Sequence, residues 1–130
     1  MTTKDVKAIT EQLGDQPKMG EIKKLAKTIK KDHELALVLW ATGTFSLRML
    51  AALIFDKTLI DQSFVDSLAD DLAAHNESEK NQITDWLLAN QLTKSKKTIQ
   101  LMESWQQAKS PVLRRLFWYH QARLRWTGQT

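Results

Sequence analysis

Cysteine is absent from the 130 residues, which excludes a disulfide scaffold, a thiol nucleophile and a thiolate metal site. Glycine and proline are scarce, at four and two residues, and this disfavours a turn-rich all-β fold. A membrane span is missing as well. Between Leu35 and Phe55 the only charge is Arg48, but Ala41-Thr42-Gly43-Thr44 breaks the run before it reaches the length of about 20 apolar residues that a span requires. Two buried helices joined by a tight turn account for it better. The N-terminal Met-Thr-Thr-Lys-Asp has no apolar signal segment, so a cytoplasmic location is expected. The three histidines, His33, His75 and His120, lack ligand spacing, and no glycine loop for phosphate is present; no metal and no cofactor are implied.

The last absence is local. Residues 104–130 contain no acid, yet they hold Lys109, Arg114, Arg115, Arg123 and Arg125, a balance of +5. Residues 1–103 hold 14 basic and 15 acidic side chains, a balance of −1. Such asymmetry points to a polyanionic partner such as nucleic acid, the alternative being a solvated basic face. Otherwise the composition is that of one folded domain, with 42% apolar and 26% charged residues.

Helical patterns run through the chain. Thr2 or Thr3 can cap a first helix that stops at Gly14, and a break containing Pro17 follows. Ile22, Leu25, Ala26 and Ile29 recur at helical spacing among Lys23, Lys24, Lys27, Lys30 and Lys31. Asp32 can cap a helix ending at Gly43, and Thr44 starts another that runs to about Asp56. Asp61 or Ser63 opens the next, Ser78 the one after, and residues 95–108 form a further helix. Ser110-Pro111 reads as a capping serine followed by proline at the first helical position, with a helix reaching Trp126 before Gly128. Pairs of about 30 residues (33–56, 61–92 and 95–126) predict an all-α fold of antiparallel helix pairs, a HEAT-like α-solenoid, with a compact helical bundle as the alternative. The expectation is a single domain over 1–130.

At 100° per residue, Leu113, Leu116, Phe117, His120 and Leu124 share one side of the last helix. Arg115, Trp118, Tyr119, Ala122, Arg125 and Trp126 lie opposite, with Arg114 at the edge. Arginine grips phosphate bidentately, and aromatic rings pack on sugars and bases, so Arg114, Arg115, Trp118, Arg123, Arg125 and Trp126 are candidate DNA contacts. The competing reading is that Trp118 and Trp126 pack against a further repeat. His120 reads as a core histidine. In the helix after Ser78, Ile83, Leu87 and Asn90 share one side, and Asp85 lies opposite beside Asn81, Gln82 and Leu88.

The segment Met19–Asp56, with Leu25, Ala26, Leu35, Ala36, Leu39, Trp40, Gly43, Arg48, Leu50 and Ala51, resembles the N-terminal repeats of the AlkD-like DNA alkylation repair family. The similarity continues through SFVDSLADDL and PVLRRLFWYHQARLRW. It implies a HEAT-like solenoid with a concave basic surface for duplex DNA, alkylated DNA included, and DNA glycosylase activity on N3- and N7-alkylated purines. The family's Asp aligns with Asp85, implying a catalytic role, and a family Arg aligns with Arg115. The family's Trp four residues before that Asp is Asn81 here. The family also continues with further repeats, so the resemblance implies a domain incomplete beyond Thr130. Three functions remain open: a repair glycosylase, a non-enzymatic DNA-binding relative, and a HEAT-like protein-interaction scaffold.

Overall fold

A computed structural model describes residues 3–14 and 18–126, with side chains from Lys7 onward. The roles expected of Thr2, the Thr3 side chain, Pro17 and Gly128 lie outside what is described. Among the described residues every regular element is helical and no strand occurs: α1 Thr3–Leu13, α2 Met19–Ile29, α3 His33–Ala41, α4 Phe45–Ile54, α5 Gln62–Ala73, α6 Glu77–Asn90, α7 Lys96–Met102 and α8 Pro111–Trp126, with 3-10 turns at Lys57–Leu59, Leu92–Lys94 and Glu103–Gln107. The chain is all-α. It divides into two compact units, Met1–Asp56 and Lys57–Thr130.

The first unit is organised by the apolar stretch that resembled a membrane span. α3 and α4 pack on each other across the Thr42–Thr44 turn, and α2 packs on α4. Gly43 makes that turn at φ 73, a conformation that favours glycine, and its N–H donates to the Trp40 carbonyl at 3.2 Å. Asp32 caps α3 by accepting from the Leu35 N–H at 3.1 Å. Ile22, Leu25 and Ala26 of α2 are buried, as are Leu35, Ala36, Leu39 and Trp40 of α3 and Leu47, Met49, Leu50, Ala51, Ala52 and Ile54 of α4. Arg48 is buried with them. Its Nε donates to the Trp40 carbonyl at 3.0 Å, and its guanidinium lies 4.9 Å from the Trp40 ring centroid, so the lone charge of the stretch ties α4 to α3. No described helix is long and apolar enough to cross a membrane.

The second unit contains α5 to α8. Asp61 caps α5 through the Phe64 N–H at 2.8 Å, and Ser110 caps α8 through the Leu113 N–H at 3.3 Å. Ser78 does not open α6. Asn76 does, accepting from the Ser78 N–H at 2.9 Å, and Glu77 and Glu79 sit in the first turn, where the helix dipole favours acids. The helix expected over 95–108 is α7 alone, followed by the 3-10 turn Glu103–Gln107. That turn seats Trp105 in the core, 1% exposed, with its indole N–H donating to Gln62 Oε1 at 2.8 Å. Trp105 thus joins the segment before α8 to the start of α5.

Candidate nucleic-acid interface

α6 carries Asp85. Its buried residues are Ile83, Thr84, Leu87 and Leu88, an arc of about 140° at 100° per residue. The expected grouping of Leu88 with Asp85 on the outer side is therefore corrected: Leu88 is fully buried. The physical reason is that α6 packs on α5, on α8 and on the turn Leu92–Lys94, so its apolar arc is wider than one stripe. Asp85 sits just beyond the edge of this arc and is partly exposed, and Asn81 is exposed one turn earlier.

α8 carries the arginines. Val112, Leu113, Leu116 and His120 are buried, and Trp118 and Trp126 are the exposed large aromatics, at 54% and 71%. The polar side divides into two lines. Arg115, Tyr119 and Trp126 form one: the Arg115 guanidinium is 5.9 Å from the Tyr119 ring centroid, and Tyr119 meets Trp126 edge-on at 5.8 Å. Arg114, Trp118 and Arg125 form the other. Arg114 Nη1 donates to the carbonyls of Ala108 (2.6 Å) and Lys109 (3.1 Å), closing the end of the preceding turn onto α8.

The first line meets α6. Arg115 Nε donates to Asp85 Oδ1 at 2.9 Å and Nη2 to Oδ2 at 2.7 Å, a two-pronged ion pair between residues 30 apart in sequence. Both side chains reach solvent, Arg115 at 43% and Asp85 at 24% exposure. The hydrogen bond to Asp85 holds the Arg115 pKa above its ordinary value, against the opposing effect of partial burial. The planar fork fixes the carboxylate in orientation as well as in charge.

Of the residues singled out in the sequence, the structure brings together Asp85, Arg115 and, through Tyr119, Trp126. Arg114, Trp118 and Arg125 lie on the neighbouring line of α8. Arg123 shares neither line. It is half-buried on the side of Val112 and Leu116, and its charge, after desolvation, lowers the pKa of His120. Tyr119 is the member that residue typing undervalues; its position four residues after Arg115 is the available signal. A cleft of about 440 Å³ between α5 and the start of α8 is lined by Asp66, Ala69, Asp70, Lys109, Ser110 and Leu113. Its two aspartates suit it poorly to an anionic duplex.

The arginine-clamped carboxylate of α6, beside the arginine- and tryptophan-bearing α8, is the candidate site of this all-helical chain. The DNA alkylation repair enzyme family matches residues 17–129, and the chain belongs to that family. The match spans both units and supports a role in DNA alkylation repair. No curated protein and no solved structure matches the chain.

Proposed function

We propose that the chain binds duplex DNA through α8 and excises N3- and N7-alkylated purines, with Asp85 acting at the sugar. The observation that carries this reading is the two-pronged Arg115–Asp85 pair, part-exposed beside the aromatic line of α8. An alkylated purine is cationic and already a good leaving group, so it needs little acid help. Cleavage of its glycosidic bond leaves positive charge on the sugar, and a carboxylate fixed beside that sugar stabilises the charge as it develops. Arg115 orients the carboxylate, and it presents a cation that a backbone phosphate can share. Tyr119 and Trp126 supply aromatic surface to a sugar and to a cationic base.

A non-enzymatic DNA-binding role is the second reading, and Asn81 favours it. Where the family pattern has Trp, this chain has an exposed amide, so one aromatic wall is missing. An excision assay on methylated duplex DNA decides between the two. Release of methylpurine by the wild type, lost in Asp85→Asn, supports the glycosylase. Binding without release by the wild type establishes the second reading.

A further inference from the structure

The balance of −1 over residues 1–103 conceals a second basic cluster. Residues 18–31, which comprise α2 and its flanks, hold Lys18, Lys23, Lys24, Lys27, Lys30 and Lys31 against Glu21 alone, a balance of +5 that equals that of residues 104–130. All six lysines are exposed. At 100° per residue, Lys23, Gly20, Lys27 and Lys24 occupy one continuous arc of about 100°, and Glu21 falls outside it. Gly20 is exposed at the middle of the arc, and a side chain there would meet nothing within 4 Å.

The cluster is not explained by the stability of the helix. Lys23 and Lys27 are four residues apart and Lys24 and Lys27 three, spacings at which like charges repel. Lys18 occupies the N-cap and makes no side-chain capping bond, where a short hydrogen-bond acceptor is favoured. Lys18 also lies at the end of the helix where its dipole disfavours cations, whereas Lys27 and Lys30 lie at the end where it favours them, so the dipole accounts for only part of the cluster. Nor is α2 arranged to enter a lipid surface. Its apolar side, Ile22, Leu25 and Ala26, is buried within the first unit, and the side that meets solvent is the lysine face with Glu21 and Thr28 at its edge. Flexible ammonium groups, unlike arginine forks, contact phosphate as point charges without fixed geometry.

We propose that the lysine face of α2 is a second, sequence-independent and lesion-independent contact for the phosphate backbone of duplex DNA, carried by the first unit and separate in the chain from the Asp85 site. It rests on the reading of DNA as the partner, but not on base excision. The test uses the full chain and a short unmodified duplex, with Lys23→Gln, Lys24→Gln and Lys27→Gln combined. Glutamine keeps helix propensity and removes the repulsion of Lys27 with Lys23 and Lys24, and a far-ultraviolet dichroism spectrum like that of the wild type establishes that the variant is folded before its slope is read. The log–log dependence of affinity on salt is expected to flatten by about 0.9 for each phosphate no longer neutralised, roughly 2 to 3 in all. The corresponding triple arginine variant should keep the wild-type slope. In an Arg115→Ala, Arg125→Ala background, residual duplex binding should persist and should disappear when the three lysines are replaced by glutamine.

An unchanged slope in the glutamine variant overturns the proposal, and so does binding to phosphatidylserine vesicles in preference to the duplex. Lysine-dependent duplex binding without methylpurine release upholds it while the glycosylase reading fails. Methylpurine release with an unchanged slope does the reverse.

Discussion

At the residue scale, the central fact is that Asp85 and Arg115 hold each other in a two-pronged ion pair. The pair is surface-exposed, so its worth to folding is small, about 0.2–1 kcal/mol by comparison with measured exposed pairs. Its importance is to orientation. Asp85→Asn preserves shape and removes the charge. If the carboxylate stabilises a sugar cation, excision should slow by about 100-fold or more, roughly 3 kcal/mol, measured as single-turnover release of methylpurine. The same substitution frees Arg115 from an anionic partner, so affinity for unmodified duplex should rise; a fall in anisotropy titrations would contradict the placement of Arg115 at a phosphate. His120 gives a second prediction. It is buried on the inner side of α8, its Nδ1 has no hydrogen-bond partner, and desolvation, then the Arg123 charge, lowers its pKa below 6.5. Below pH 6.5 the unfolded chain therefore takes up a proton that the folded chain resists. Stability is fully present above about 6.5 and is lost as pH falls from there through the depressed folded value. Thermal midpoints measured from about pH 7 downward should decline, and less steeply in His120→Gln.

At the element scale, α6 and α8 position this chemistry, and their starts decide their register. Asn76 holds the first turn of α6, while Ser78 only donates its hydroxyl to Asn76 Oδ1 at 2.9 Å. Asn76→Ala should cost about 1 kcal/mol and Ser78→Ala clearly less, by urea denaturation. This start is legible in principle. Asn76 followed three residues later by Glu79 fits the capping-box pattern, and the serine inside that pattern is the competing local signal. Asp32, Asp61, Gly43 and Ser110 are legible because each is one residue acting on the backbone beside it. The all-helical fold is legible for the same reason, being written in short-range periodicity. The wide buried arc of α6 is not, because it depends on the packing of α6 against α5, α8 and the turn Leu92–Lys94, which the periodicity of the helix alone does not encode. The Arg115–Asp85 pair is not either. Its members are 30 residues apart, and the family resemblance points to each of them separately without joining them.

At the scale of the whole molecule, charge is distributed in two basic segments of +5, residues 18–31 and 104–130, within a chain whose net charge is only +4. A whole-chain sum understates what a polyanion would meet, since phosphate responds to local density over about a Debye length of 8 Å at physiological salt. The arginines of α8 are not equivalent in this respect. Arg115 is engaged by Asp85, Arg114 by two carbonyls, and Arg123 is half-buried toward His120, whereas Arg125 is exposed beside Trp126. Counterion release makes the consequence measurable. Each phosphate neutralised contributes about 0.9 to the slope of log affinity against log salt. Binding of unmodified duplex should therefore weaken steeply between low and physiological salt. Arg125→Ala should flatten that slope by the amount due to a single phosphate, and Arg123→Ala should leave it nearly unchanged while altering the pH dependence of stability through His120. Equal flattening by both substitutions would mean that α8 meets DNA over its whole circumference at the C-terminal turn, and the two-line division of its polar side would not describe the bound state.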